Sequence, residues 1–145
     1  MDPDSIPRFE ASETDRARLR ASIARVLALH PWVKAAYLYG SVARADRPAR
    51  DIDVGLVGDP PGWGAEAAIA ADLQAAFAAP VQFDVRLLRG ADPVFLGSLM
   101  REGLVVYEAD REARIRFATN ALSVWLDFQP VWERMRVVPH RWAGE

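Results

Sequence analysis

Three aspartates, with a Gly-Ser pair ahead of them, are the residues of this chain whose types and spacing suit chemistry. Asp51-Ile52-Asp53 sets two carboxylates two positions apart, and Asp84 stands alone about thirty residues on. In an extended segment, side chains two apart share a face, so Asp51 and Asp53 project together with Cα atoms about 6.6–6.8 Å apart. Paired carboxylates repel, and strands disfavour Asp, so something must compensate for this placement. A hard divalent cation does so: Mg²⁺ takes one or two carboxylates and fills its shell with water and substrate phosphates. If the segment carrying Asp84 pairs beside the one carrying Asp51 and Asp53, three carboxylates meet on one open face. That arrangement suits two-metal chemistry, with Asp84 also placed as general base for a hydroxyl nucleophile. Upstream, Gly40-Ser41-Val42-Ala43-Arg44 offers close backbone approach, a hydroxyl and a guanidinium to an anion such as a triphosphate.

The elements that must hold these residues are legible from apolar periodicity. Leu19, Ile23, Val26 and Leu27 recur at helical spacing, a weak capping box at Ser12 and Asp15 opens that helix, and Pro31 stops it near His30. Residues 33–39 (VKAAYLY) and 51–57 (DIDVGLV) read as strands around an Arg-rich loop broken by Pro48. A Pro/Gly turn (GDPPGWG) leads to an Ala-rich helix over 65–79 with Ile69, Leu73 and Phe77 on one stripe, ended by Pro80. In VQFDVRLL, residues 81–88, Val81, Phe83, Val85 and Leu87 point one way and Gln82, Asp84 and Arg86 the other. A short helix near 93–101, a fourth strand over 104–107 and a long helix from about 110 to 136, bent near Pro130, complete the order α-β-β-α-β-α-β-α. The fold class expected is α+β: a small mixed sheet backed by helices with a long C-terminal helix. One domain is expected, its core over about 12–108 and its helical tail over about 109–145.

Composition narrows the chemistry. With 145 residues, 51% hydrophobic and 26% charged, the chain matches an ordinary globular domain. Zero cysteines exclude disulfides, a thiol nucleophile and thiolate metal sites, and two histidines 110 positions apart leave little for a His-based site. A net charge of −2 makes no case for direct nucleic-acid binding. The start, MDPDSIPRFE, lacks the pattern of a secretory signal, and no apolar run is long enough to span a membrane, so a cytoplasmic protein is expected. No basic residue falls between Arg50 and Arg86, while Asp51, Asp53, Asp59, Glu66, Asp72 and Asp84 lie in that stretch. Asp59, Glu66 and Asp72 suit a solvated helix face and loops. His30 reads as a helix-end residue, Tyr37, Tyr39 and Tyr107 as core or edge aromatics, and Trp63 as a turn residue covering the core rather than a base-stacking one.

Strand, Gly-Ser-x-Ala-Arg, spacer, Asp-x-Asp and a lone strand Asp resemble the minimal nucleotidyltransferase (MNT) domain of the DNA polymerase β superfamily. The similarity runs over about 33–108 and includes LMREGLVVYE at 99–108. The tail, with Arg114, Phe117, Trp125, Leu126, Asp127 and Phe128, is similar to the C-terminal helix of members paired with HEPN-domain toxins. The resemblance implies a polymerase β-like fold, two Mg²⁺ ions held by Asp51, Asp53 and Asp84, and ATP bound through Gly40, Ser41 and Arg44. It also implies an antitoxin that transfers AMP to a tyrosine hydroxyl of a HEPN partner. Three departures stand out: the spacer, residues 42–50, is short, Arg50 replaces a common Ser, and Ala45 replaces a frequent Gly. None removes a metal ligand.

Two further functions compete. A non-catalytic antitoxin would act by occluding its toxin. A small-molecule nucleotidyltransferase would need a further domain to hold its acceptor. The C-terminal helix favours a protein partner: Phe117, Leu122, Trp125, Phe128, Val131, Trp132 and Met135 spread around it, more apolar surface than one packed stripe needs.

Overall fold

The computed structural model of the chain describes residues 13–40, 51–77 and 81–142. Along the chain, α1 (Glu13–Leu27), β1 (Val33–Tyr39), β2 (Asp51–Gly58), α2 (Ala65–Ala76), β3 (Gln82–Leu87), α3 (Pro93–Glu102), β4 (Leu104–Glu108) and α4 (Arg111–Trp142) follow one another in the expected order.

The four strands form one sheet in the order β3-β2-β1-β4. β1 is antiparallel to both β2 and β4, and β2 is parallel to β3, so the sheet is mixed. The parallel pair requires a crossover, and α2 supplies it. Period-2 alternation then sorts the side chains. Ile52, Val54 and Leu56 of β2, with Ala36 and Leu38 of β1, are fully or almost fully buried on one face. There they join Leu19, Ile23, Val26 and Leu27 of α1 and Ile69 and Leu73 of α2 in the main core. The opposite face carries Tyr37 and Leu88 against Leu99 of α3, with Phe95 and Phe117 packed around them. Helices therefore cover both faces.

Local signals place the second helical layer. Asp92 caps α3 by accepting the Phe95 N–H at 2.9 Å, Pro93 follows at the first helical position, and Gly103 closes the helix with its N–H on the Leu99 carbonyl at 2.8 Å. Asp110 caps α4 through the Ala113 N–H at 3.0 Å. A Cβ on Gly97 would lie 2.4 Å from the Trp125 ring, so this glycine lets α4 lay its indole against α3.

Three details differ from the sequence expectation. The Ala-rich helix ends at Ala76, with Phe77 already extended, because Phe77 turns to meet Phe83 of β3 edge-on at 5.9 Å. α4 runs without a break through Pro130 to Trp142, since the proline ring costs a helix one hydrogen bond without obliging it to stop. Trp63 is fully exposed at 104% relative accessibility and covers no part of the core. Its turn lies outside the packed layers, next to a Gly64 in the left-handed region at φ 81°. The weak cap at Ser12 lies outside the described residues. Among the described residues, no helix is long and apolar enough to cross a membrane.

Candidate functional site

Sheet register brings the acidic residues together. Asp53 is the direct partner of Asp84 on parallel β3 and of Tyr39 on antiparallel β1. The row across the sheet is thus Tyr39, Asp53, Asp84, and cross-strand partners share a face with backbones about 4.8 Å apart. Asp51 stands one step along the same face, opposite Gln82. Asp51 and Asp84 are exposed and Asp53 is half-buried. All three therefore face away from the main core, on the side reached by solvent.

Gly40 completes one flank. It ends β1 in the left-handed region at φ 74°, and a Cβ there would fall 2.3 Å from Oδ2 of Asp53. The position requires glycine twice over: for the backbone conformation, and because the chain passes against a carboxylate. Ser41 and Arg44, expected to bind the nucleotide, lie outside the described residues.

The site contains three side chains that sequence reasoning did not assign to it: Tyr39, Arg86 and Phe95. Tyr39, expected to be a core or edge aromatic, borders Asp53, and burial first, then the Asp53 charge, push its hydroxyl up to about 12. Arg86 acts in the opposite sense on the same phenol, through its charge and a hydrogen bond. The Arg86 guanidinium lies over the Phe95 ring at 4.3 Å, and Tyr39 meets that ring edge-on at 5.1 Å. The signal for Arg86 was present in its alternation with Asp84. Phe95 comes from a different element and had no local signal.

Among the described residues, no three acidic or histidine side chains are gathered closely enough to enclose an ion as placed. The register instead supplies hard oxygen donors on one open face, with the Gly40 backbone pressed against one of them, which fits a magnesium-type ion that completes its shell with water and phosphate. Other candidate residues fall elsewhere. Asp59 pairs with Arg89, and Asp72 accepts a hydrogen bond from His30 Nε2 at 2.9 Å, tying the end of α1 to α2. A cleft of about 450 Å³ opens at the other end of the sheet, between Val57, Leu88, Phe117 and Val124, and includes none of the three aspartates.

The polymerase β nucleotidyltransferase family model matches residues 21–112, well over half of the chain and all three aspartates. The chain belongs to that family. Its fold is similar to a chain in the crystal structure of a toxin–antitoxin with AMP-PNP, at 22% identity and TM-score 0.65, covering 83% of this chain and 96% of the other. It is also similar to a chain in a complex of tri-AMPylated HEPN toxin with MNT antitoxin from Shewanella oneidensis, at 21% identity and TM-score 0.64, covering 86% and 97%. A chain of the MntA–HepT toxin–antitoxin aligns at 21% identity and TM-score 0.62, with the same coverage. No curated protein sequence matches significantly. At these identities the likeness speaks for the fold: a polymerase β-like sheet with a long C-terminal helix.

Proposed function

We propose that the chain is a Mg²⁺-dependent nucleotidyltransferase that moves AMP from ATP to a tyrosine hydroxyl of a HEPN-domain toxin, acting as its antitoxin. The observation that carries this reading is the register of Asp53 with Asp84 on an open sheet face, beside Gly40, in a chain of the nucleotidyltransferase family. The AMP-PNP and tri-AMPylated toxin of the structural neighbours support the choice of nucleotide and acceptor.

Each residue has a role in this reading. Asp51, Asp53 and Asp84 would hold Mg²⁺, which when bound offsets the triphosphate charge and makes the acceptor hydroxyl more acidic. Gly40 brings the backbone close to the phosphates, while Ser41 and Arg44 hold the β- and γ-phosphates. Asp84, exposed at the rim, takes the proton of the acceptor tyrosine. The phenolic oxygen then attacks the α-phosphorus, the bond to pyrophosphate breaks, and pyrophosphate leaves with the electron pair. The whole of 1–145 serves as one domain, with the tail beyond about 109 helping to dock the partner. The protein works in the cytoplasm, where ATP and the toxin are found.

The exposed apolar side chains of α4 favour the occlusion reading instead. Mass spectrometry of the partner after incubation with this chain, ATP and Mg²⁺ separates the two. AMP on a partner tyrosine is the expected result. An unmodified partner under conditions where nucleotide and metal bind would remove the enzymatic reading.

A further inference from the structure

Arg86 is a cation that β3 places on the carboxylate face beside Asp84. It lies two residues from Asp84 on β3, so the two side chains project together with Cα atoms about 6.6–6.8 Å apart. Its register partner on β2 is Gly55, and the space a Cβ would take there is filled by the Leu88 side chain. The guanidinium lies over the Phe95 ring at 4.3 Å. Phe95 in turn is held by its N–H on the Asp92 cap and by the edge of Tyr39. Arg86 is thus parked on an aromatic shelf. From there its charge acts on the carboxylates through space. Phe95 thus touches both Arg86 and Tyr39, and Tyr39 is the register partner of Asp53, whose partner on β3 is Asp84, so Arg86 flanks the carboxylate row.

We propose that Arg86 is a resident counter-ion of the Asp51–Asp53–Asp84 cluster, held on Phe95. It steadies the carboxylates while no metal is bound and lowers their affinity for free Mg²⁺, so that the ion binds mainly together with the nucleotide. The inference rests on the metal-binding reading above. Its sign follows from Coulomb's law. A fixed positive charge near like-charged carboxylates relieves their repulsion, and the same charge repels an incoming dication. Nucleotide reverses the balance, because its phosphates supply negative charge that Arg86 alone does not match. Arg86 is a positioning residue here, not a catalytic one.

The test is thermal denaturation of the nucleotide-free full chain across a Mg²⁺ titration at fixed salt. Arg86→Met should melt lower than wild type without Mg²⁺, yet reach half its Mg²⁺-induced shift at a concentration on the order of threefold lower at ~0.1 M salt. Arg86→Lys should restore most of both values, and Asp84→Asn added to Arg86→Met should raise its melting temperature. Phe95→Leu keeps the charge but removes the shelf, so that Arg86 can close on a carboxylate; its half-saturating Mg²⁺ should rise above wild type. That variant decides the matter should Arg86→Met not fold. Arg86→Met melting lower by the same amount at every Mg²⁺ concentration would overturn the inference. So would a higher ATP requirement with an unchanged response to free Mg²⁺, which would make Arg86 a nucleotide contact. If wild type and Asp53→Asn respond identically to Mg²⁺ even with ATP present, the metal-binding reading itself fails.

Discussion

Gly40 and Tyr39 show how two adjacent residues set up the carboxylate face. Because Gly40 sits at φ 74° with Asp53 Oδ2 in the space of its absent Cβ, Gly40→Ala must both strain the backbone and push the carboxylate away. The strain costs ~1–2 kcal/mol, visible as a modest drop in unfolding free energy. Displacing Asp53 should cost about a hundredfold in AMP transfer, because misplacement on the ångström scale has that effect. Tyr39 makes a pH prediction. Its folded-state pKa of about 12 exceeds the ordinary value of 10.0. The neutral phenol is therefore favoured by folding, and its contribution is complete below about pH 10 and lost as pH rises towards 12. Phenolate absorbance should show one tyrosine titrating late, and Tyr39→Phe should remove that late component. At this scale the carboxylates were legible because Asp is uncommon in strands and therefore conspicuous. Tyr39 was not, since an aromatic at a strand end looks the same whether it packs on the core or borders a site.

At the scale of elements, the parallel pairing of β2 with β3 converts two separate acidic segments into one face. Alternation in DIDVGLV and VQFDVRLL told which side chains share a face within each strand. Which strands are neighbours depends on the α2 crossover and on burial of Ile69 and Leu73, a non-local choice that no single segment encodes. The end of the Ala-rich helix was overestimated for the same reason: Phe77 leaves the helix to meet Phe83, a contact on another element. On the opposite face, α3 and α4 meet where Gly97 admits the Trp125 ring. Gly97→Ala should destabilise the fold by ~1–3 kcal/mol through overpacking, read as a lower urea midpoint with an unchanged slope. Phe95, on α3, would shift with it, so the Mg²⁺ response of this variant should move in the direction of Phe95→Leu.

Over the whole molecule, α4 divides into two sides. Ala121 and Trp125 are buried against the rest of the fold, while Leu122, Leu126 and Met135 are exposed, the last two by more than half. The exposed side is more apolar than solvent alone explains, and the apolar spread of that helix was visible in the sequence before any packing was known. Which of its residues the fold consumes could not be read there, because it depends on where α3 and the sheet stand. Leu122→Glu combined with Leu126→Glu should leave stability within about 0.5 kcal/mol of wild type. The pair should weaken partner binding by at least about tenfold in a pull-down or calorimetric titration, as loss of anchoring side chains does. A catalytic antitoxin needs this surface only to present the acceptor tyrosine; an occluding one needs nothing else. The most direct test of the account is therefore co-expression of the proposed HEPN partner with Asp51→Asn/Asp53→Asn. The account predicts a double variant that folds as stably as wild type or slightly more so, still co-purifies with the partner, and no longer neutralises it. Full neutralisation by that folded variant would contradict the account.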